Sequence, residues 1–563
     1  MSSPRLRQQF DLLYRHFSGQ DSDVQIEEIT EILSCTRRNA RIVLSKLHEL
    51  GWIQWSPSSG RGKLSSLIFN QSQDDVNIEM AKRLLEEGKI GRALAVLDQD
   101  VHKLTQVVQD YIGLQNRKGE SIVRLPYYRP LQLVSPLYRL RRSEKNIIQQ
   151  VASGLTTLDE NERITADIAH HWQMLTPVHW RFFIRPNIRC HNGNLLTLEQ
   201  IIHHLEDLAD APLFSHITQV TQYADLCIDV HLTRPDVRFD LLLSDVSAKV
   251  ITQWVTQEDG QHYPQATGPF RVVHNDDSKL KLVAFDDYFG FRPLIDQVEV
   301  VVIDDIYSNL VYPSLSQSVL PSSSEPKQEQ VDLDPGCTFL LLDKQHGLAH
   351  CADWADYFSS RLNSLALFSH LPQQKIVDLG LIHAFGLKPG WQHTSGYSTK
   401  LVSAPTQKKI VVAYQHEHTV FADIAHAIKQ LLEQDLLEVE LVTFDSVKDF
   451  AKKPDIWVMA MGIATHREDA LAAWYLCEPR FNDTIEANVN QKVVSLIEQW
   501  QSGSDLPFPG LQISQQLVGS KQILPMFHCW LGVNQDHSGT LQNAKTNALG
   551  WFDFSRVWLK PSL

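Results

Sequence analysis

Apolar side chains recur at intervals of three and four residues through the first fifty positions, which is the spacing of buried helix faces. Three short helices are therefore predicted. A turn at Ser34-Cys35 separates the second helix from the third, and Thr36 is placed to cap the third. The predicted inward-facing residues are, helix by helix, Leu6, Phe10, Leu13 and Phe17, then Ile26, Ile29 and Leu33, then Ala40, Leu44, Leu47 and Leu50.

A different pattern follows Gly51, where the third helix is expected to end. Residues 52–55 and 64–69 are strand-like, and the glycine-containing segment 56–63 joins them. A hairpin here would present Arg61 and Lys63 near its tip. Helix–turn–helix spacing followed by a hairpin predicts a winged helix, with its third helix placed to read bases in the major groove.

The charge balance of this region differs from that of the whole chain. Residues 34–70 contain six lysines and arginines against one acid, whereas the whole chain has a net charge of −14. Basic side chains on one helix face and on a wing neutralise phosphates, so double-stranded DNA is the predicted partner. The alternative is an ordinary solvated helix face. The predicted DNA-contacting residues are Thr36, Arg37, Arg38, Asn39, Arg41, Ser45, Arg61 and Lys63.

A helical pattern with a break at Gly88 continues from about 74 to 115. From Ile122 onward, strand-like runs alternate with helical ones, as in an α/β domain. The strand-like runs include SIVRLPYY, KKIVVAY, LEVELVTF and DIWVMAM, and residues 313–330 are rich in Ser, Pro and Gln, as in a flexible loop or linker. We therefore expect a DNA-binding domain with a helical extension at 1–115 and a second domain at 116–563.

Composition narrows the class of protein. A chain of 563 residues with 43% hydrophobic and 21% charged residues is typical of a soluble, multidomain globular protein. Its seven cysteines are scattered and form no CxxC pair, which favours a reducing compartment. The first residues, MSSPRLRQQFDLLYRHF, contain no apolar export signal, and no stretch is apolar enough for a membrane span. A cytoplasmic location without a membrane partner is expected.

Four segments after residue 120 carry a family resemblance. They are ADIAHHW at 166–172, WRFFIRPNIRCHNGNLLTLEQI at 180–201, ATGPF at 266–270 and AFDDYFGFRPLIDQVEV at 284–300. This part resembles the extracytoplasmic solute-binding proteins of the peptide/nickel transport class. The resemblance implies a two-lobed α/β fold like that of periplasmic binding proteins. It also implies one lobe at about 121–310 plus the C-terminal tail, and another at about 335–520.

Nearly the whole chain is similar to the sugar-phosphate stress regulators of enteric bacteria. The similarity runs through LSCTRRNARIVL, GWIQWSPSSGRGK, YYRPL, LRRSE and NALGWFDF. It implies a transcriptional regulator that responds to accumulated phosphosugar and activates a small-RNA gene. An activator, a repressor or a regulator acting in both senses is compatible with the sequence. A transport receptor without DNA activity is the alternative.

The segment that opens the α/β region is basic. Residues 117–145 contain eight lysines and arginines against two acids. An anionic ligand such as a phosphosugar would suit Arg124 or Arg129, since arginine binds phosphate bidentately. Tyr128 and Trp457 are candidates for stacking on a sugar ring. Alternatively, these arginines pair with acids or carbonyls and the aromatic residues belong to the core.

Catalytic and metal sites have little support in the sequence. The histidine groups at 170–171, 203–204 and 416–418 match neither HExxH nor a zinc spacing with cysteines. No GxSxG or comparable nucleophile motif occurs. We therefore expect no enzyme, no cofactor and no metal. An enzyme built on the solute-binding scaffold is a further alternative, which would require a convergent acid, base or metal group.

Overall fold

The chain divides into two units, residues 1–112 and 113–563, in the computed structural model. The described residues are 4–58, 63–86, 90–97, 113–117, 120–137, 140–256, 262–302, 331–391, 401–406, 408–418, 420–444, 453–532 and 541–560. Arg61 and the linker predicted at 313–330 lie outside them. The boundary expected after residue 115 falls inside the first strand of the second unit, Gly113–Arg117.

The first unit combines helices with a small antiparallel sheet. The predicted hairpin is present, and a third short strand, Ser22–Val24, joins it to give the order β1-β3-β2. That strand was not predicted, because three residues are too few to show a period. The elements are α1 (Pro4–His16), β1 (Ser22–Val24), α2 (Ile26–Ile32), α3 (Arg37–Glu49), β2 (Ile53–Ser56), β3 (Ser65–Phe69), α4 (Gln73–Glu86) and α5 (Ile90–Val96).

The apolar stripes predicted for the three helices form the core of this unit. Phe10, Leu13, Leu44 and Leu47 are fully buried. Trp52, at the start of the hairpin, lies edge-on to Phe10 with ring centroids 5.5 Å apart. Each fully buried side chain of this kind contributes about 1.5–3 kcal/mol. The hairpin is therefore fixed on the helices by the same core that holds the helices together.

The second unit contains most of the sheet structure. Its strands are β4 (Gly113–Arg117), β5 (Glu120–Tyr127), β6 (Thr156–Leu158), β7 (Ile164–Ala166), β8 (Ala169–Thr176), β9 (His179–Ile184), β10 (Ile217–Ala224), β11 (Cys227–Leu232), β12 (Ile251–Thr256), β13 (His262–Ala266), β14 (Phe270–Asn275), β15 (Lys279–Ala284), β16 (Gln297–Val302), β17 (Val331–Leu333), β18 (Thr338–Leu342), β19 (Ile382–His383), β20 (Lys409–Tyr414), β21 (Glu438–Thr443), β22 (Ile456–Ala460), β23 (Ile523–His528), β24 (Trp530–Gly532), β25 (Leu541–Gln542) and β26 (Trp558–Leu559). All four strand-like runs quoted from the sequence are confirmed as strands.

Helices connect these strands. They are α6 (Arg142–Val151), α7 (Leu198–Leu208), α8 (Phe239–Leu242), α9 (Ala352–Arg361), α10 (Ser364–Phe368), α11 (Gln373–Asp378), α12 (Phe421–Glu433), α13 (Ala470–Leu476), α14 (Pro479–Thr484), α15 (Ala487–Ser502) and α16 (Gly510–Gly519), with 3-10 turns at Pro212–Phe214, Val246–Ala248 and Leu348–His350. The capping box formed by Thr197 and Gln200 explains why α7 begins at Leu198.

Three larger sheets lie in this unit, and we use the names lobe one and lobe two for the parts that contain them. Lobe one contains a five-stranded sheet, β14-β15-β16-β5-β4, and a four-stranded antiparallel sheet, β10-β11-β9-β8. Lobe two contains the six-stranded sheet β19-β23-β18-β22-β20-β21, in which β20 is parallel to both β21 and β22. The carboxyl ends of these parallel strands therefore lie at one edge of the sheet, where α/β proteins commonly bind ligands.

The end of the chain returns to lobe one. Trp551, Phe552 and Phe554 are fully buried and pack in the same core as Val123 and Leu125 of β5. The tail thus packs into the lobe that contains β5, a strand more than four hundred residues earlier in the chain.

Candidate functional site

The third helix of the first unit has the geometry expected of a recognition helix. The hydroxyl of Thr36 accepts a hydrogen bond from the backbone N–H of Asn39 at 3.4 Å, which confirms the predicted cap. Ser34, in the turn before it, has a φ of +45°, so the chain reverses sharply between α2 and α3. Gly51 follows the helix with a φ of +76°, a conformation that glycine adopts without a steric penalty. The caps thus fix both ends of α3.

The outward face of α3 carries most of the predicted DNA-contacting residues. Arg38, Arg41 and Ser45 are exposed, and the hydroxyl of Ser45 donates to Glu49 Oε1 at 3.1 Å. Arg37 is also exposed but forms an ion pair with Glu27 of α2. Binding a phosphate or a base would require Arg37 to leave this carboxylate, so Arg37 is less available than Arg38.

The wing is connected directly to α3. The backbone N–H of Trp55 donates to His48 Nδ1 at 3.3 Å, which joins β2 to the last turn of the helix. On the other side of the hairpin, the hydroxyl of Ser58 donates to the carbonyl of Lys63 at 3.0 Å. Lys63 is exposed. The hairpin that carries Lys63 is thus held directly against the helix that carries the basic face.

Arg124, one of the two predicted phosphate-binding arginines, lies inside the five-stranded sheet. It is 4% exposed, and its Nε donates to Glu299 Oε2 at 2.6 Å. The two residues face each other in the parallel register of β5 and β16. This contact favours the alternative reading, in which the arginine pairs with an acid of its own lobe.

Arg129, which follows β5, is also buried against an acid of lobe one. Its guanidinium donates to both carboxylate oxygens of Glu144, at 2.5 and 3.0 Å, and both side chains are buried. Burial opposes ionisation of Glu144, but the adjacent Arg129, together with Arg141, outweighs burial and lowers the pKa of that carboxyl. A phosphate at Arg129 would have to compete with Glu144 for the same face of the guanidinium. The contact therefore favours a structural role.

The two predicted sugar-stacking residues are in different lobes. Tyr128 follows β5 in lobe one, half-buried, with its ring centroid 4.7 Å from that of Tyr127. Trp457 lies in β22 of lobe two, 6% exposed, against Phe444 at 5.4 Å and under Arg480 at 5.0 Å. Trp457 thus belongs to the packed core around β22.

Other cations of the same basic segment extend from lobe one to lobe two. Arg141, the residue before α6, forms an ion pair with Glu417. Arg142 forms an ion pair with Asp334 at 2.7 Å and also donates to the carbonyl of Met461. Sequence reasoning did not single out Arg141 or Arg142, although both lie in the basic run at 117–145. No local pattern distinguishes these two arginines from their neighbours, because their acidic partners lie far along the chain.

Lys145 lies near these two arginines, and we call Arg141, Arg142 and Lys145 together the junction cluster. The ammonium group of Lys145 donates to the carbonyl of Gly462 at 3.1 Å. Gly462 lies just after β22, as Glu417 lies just after β20. The junction cluster therefore meets the carboxyl ends of two parallel strands, at the edge where the fold favours a ligand.

His418 lies near several positive charges at the carboxyl ends of β20 and β22. It is half-buried, and its ring stacks on Phe421 with centroids 3.7 Å apart. Burial, followed by the nearby charges of Arg142, Arg129, Arg141 and Lys375, lowers the pKa of His418 to about 3. The imidazole is therefore neutral at physiological pH, and a further cation at this position is strongly disfavoured.

One group of possible metal ligands occurs among the described residues, and the sequence did not reveal it. His179 and His231 face each other on β9 and β11, and Asp229 lies on the same face. His179 Nε2 is 3.0 Å from Asp229 Oδ2, but Arg181 already donates to both oxygens of that carboxylate, at 2.7 and 2.8 Å. An ion would have to displace Arg181, so the group is explained as a salt-bridge network.

The histidine pairs noted in the sequence are dispersed. His170 and His171 are exposed on β8. His203 faces Asp207 at 3.8 Å, whereas His204 contacts the carbonyl of Ala248 at 3.2 Å. Neighbouring histidines therefore point to different surroundings.

Two family models match the chain. Residues 5–119 match the family described as the N-terminal part of sugar transport-related sRNA regulators. Residues 163–312 match the middle part of bacterial extracellular solute-binding proteins, family 5.

Solved structures similar to the second unit confirm the predicted two-lobed solute-binding fold. The binding protein AgaA of A. tumefaciens R10, solved with agropinic acid, covers 78% of this chain and 99% of its own, with a TM-score of 0.62 at 13% identity. The oligopeptide-binding protein AppA of Bacillus subtilis, solved with a nonapeptide, covers 78% and 100%, with a TM-score of 0.59 at 15% identity. Likeness at this identity establishes the fold alone.

Curated relatives match over their whole length. The HTH-type transcriptional regulators SgrR of Yersinia pseudotuberculosis and Pectobacterium atrosepticum are each 34% identical, and that of Shigella flexneri is 33% identical, with 100% of both chains covered. Among the described residues, no helix is both long enough and apolar enough to cross a membrane. The prediction of a DNA-binding transcriptional regulator with a solute-binding domain is confirmed, and the chain belongs to the SgrR family of HTH-type transcriptional regulators.

Proposed function

We propose that this regulator senses an anionic small molecule, a phosphosugar, at the junction of its two lobes. The observation that carries the proposal is the junction cluster, which extends from lobe one to the carboxyl ends of β20 and β22. Binding proteins of this architecture hold ligands in the cleft between lobes. A phosphate would take the place of Glu417 and Asp334 as the partner of the arginines, with bidentate, charge-assisted hydrogen bonds.

The DNA-binding residues belong to the same proposal. We assign base contacts to Arg38, Arg41 and Ser45 and phosphate contacts to Lys63, because these residues share the exposed side of α3 and the wing. We also assign the protein to the cytoplasm, where DNA and metabolic phosphosugars are both present. No catalytic activity is assigned, because relatives of the same length are named as transcriptional regulators.

Ligand and DNA would be coupled through lobe movement. Exchange of an acid for a phosphate changes which contacts hold the lobes together, and lobe closure is a hinge motion. If the two lobe arrangements differ in DNA affinity, ligand and DNA must affect each other by the same factor. Couplings of this kind are typically about 1–3 kcal/mol.

Calorimetry can test the ligand site. We would titrate the full chain with a hexose 6-phosphate, the parent hexose and inorganic phosphate, and compare wild type with Arg142→Gln and Lys145→Gln. Arg189→Gln is the matched control, since Arg189 is an exposed arginine of lobe one. We expect tight binding of the phosphosugar alone, weakened about tenfold or more in both junction variants and unchanged in the control. Equal affinity for charged and neutral sugars would exclude an anion site.

Gel-shift titrations with and without the hexose phosphate would test the coupling. We expect about a 5- to 150-fold change in operator affinity. Binding of the sugar that leaves operator affinity unchanged would separate the ligand site from regulation and contradict the coupled model.

A further inference from the structure

The exposed face of α3 carries one large apolar side chain. Ile42 is 45% exposed, although the helix has a buried side that holds Val43, Leu44 and Leu47. At about 100° per residue, Ile42 lies about 40° from Arg38 around the helix axis and about 140° from Leu47. Ile42 therefore lies near the middle of the outward face and does not contribute to the core.

The surroundings of Ile42 are polar and basic. Arg38 and Lys46 lie four residues before and after it, and Arg41 is its neighbour in the chain; all three are exposed. A second apolar protein surface placed on Ile42 would bring these three cations out of water without an anion to compensate. DNA would satisfy them with phosphates while offering one kind of apolar group in the major groove, the methyl group of thymine.

We infer that Ile42 contacts the 5-methyl group of a thymine in the major groove and thereby specifies a T·A pair in the operator. The inference rests on α3 being the recognition helix. An aliphatic side chain makes no hydrogen bonds, so it cannot read the base edges that Arg38 or Ser45 would read. It discriminates through buried apolar area, which thymine provides and cytosine does not.

Deoxyuridine substitution tests this contact directly, because deoxyuridine differs from thymidine only by that methyl group. An operator would first be selected from randomised duplexes with the full chain, and each thymine would then be replaced in turn. We expect wild type to lose about fourfold in affinity at one position of each bound site. Ile42→Ala should bind the unmodified operator with an affinity lower by a comparable factor, and deoxyuridine at that position should weaken its binding no further. Ile42→Val should retain part of the sensitivity to deoxyuridine.

Leu12→Ala is the matched control. Leu12 is 49% exposed, but it lies on α1 rather than α3, and its truncation should leave both affinity and deoxyuridine sensitivity unchanged. Wild type that tolerates deoxyuridine at every position would overturn the inference. So would an Ile42→Ala variant that keeps the full deoxyuridine effect, because another side chain would then read the methyl group. A change in sedimentation of Ile42→Ala without DNA would identify a protein contact instead. If no operator can be selected at all, the role of α3 itself fails, which is a distinct outcome.

Discussion

Replacement of Arg129 by methionine separates a structural from a ligand-binding role for this residue. Arg129 is 5% exposed and Glu144 is 2% exposed, and two hydrogen bonds of 2.5 and 3.0 Å join them. Methionine keeps most of the volume but leaves the Glu144 carboxylate buried without its partner. Breaking a buried pair in this way costs about 3–5 kcal/mol.

This loss of unfolding free energy corresponds to a measurable decrease in Tm. Unfolding entropy is about 2.1 cal/mol/K per residue, and the second unit has about 450 residues, so about 1 kcal/mol corresponds to one degree. We expect the Tm of Arg129→Met to fall by about 3–5 °C at pH 7. Tryptophan fluorescence follows this transition, since Trp551 donates to Ser143, the neighbour of Glu144.

The deficit should depend on pH. The pKa of Glu144 is lower in the folded wild type than in the unfolded chain, where it is about 4.3. The ionised carboxylate therefore stabilises the fold above the unfolded pKa. This contribution is lost as the pH falls through the folded pKa. In Arg129→Met burial, the largest influence on this carboxyl, loses its main opponent while Arg141 still acts, so the pKa of Glu144 rises. The folded variant then takes up a proton at a higher pH than the folded wild type, so its deficit shrinks from pH 8 towards pH 5.

The double variant Arg129→Met/Glu144→Gln provides the control. Removing both charges should restore most of the lost Tm, because no buried charge is left uncompensated. Phosphosugar affinity equal to that of wild type would confirm that Arg129 is structural. A Tm of Arg129→Met within about one degree of wild type would contradict a structural role for the buried pair. A double variant with restored stability but lost ligand binding would show that Arg129 binds the ligand.

Three further predictions concern the DNA-binding unit and the junction. Arg38→Ala should weaken specific DNA binding by about 1–3 kcal/mol, and Arg37→Ala should weaken it less because Arg37 pairs with Glu27. Lys63→Gln should reduce the slope of log affinity against log salt by about 1. Gel shifts at several salt concentrations measure both effects, and wild-type behaviour of all three variants would contradict the assignment. The fragment 1–112 should fold and bind the operator without responding to a hexose phosphate, since its core closes on itself; an insoluble fragment would contradict this. His418→Gln should lessen the loss of Tm between pH 7 and pH 5. The unfolded chain protonates this histidine near pH 6.5, whereas the folded chain, in which its pKa is about 3, does not. Parallel curves of Tm against pH for wild type and variant would contradict this prediction.

The elements of the DNA-binding unit could be predicted from the sequence because their signals are local. The cap at Thr36, the stop at Gly51 and the stripe that includes Leu44 each depend on residues within one or two helical turns. The strand over Ile456–Ala460 was predictable for the same reason, as a short apolar run that requires burial on both sides. The family assignment came from motifs distributed along the whole chain.

The choice among arginines was not local, because arginines of one basic segment pair with acids from distant parts of the chain. Arg124, Arg129 and Arg142 lie in one basic segment and look alike along the chain. Arg124 pairs with Glu299, 175 positions away, whereas Arg142 reaches Met461, 319 positions away in the other lobe. Net charge is a property of the segment, but the partner of each charge depends on which strands lie beside it.

The winged helix, the α/β character of the second unit and the excess of positive charge before α6 follow from local patterns along the chain. Other features appear only once the chain has folded: Arg124 and Arg129 pair with acids of lobe one, the junction cluster meets lobe two, and Ile42 stays outside the core. Caps and periodicity act over a few residues, whereas ion pairs and burial join residues that are adjacent only after folding.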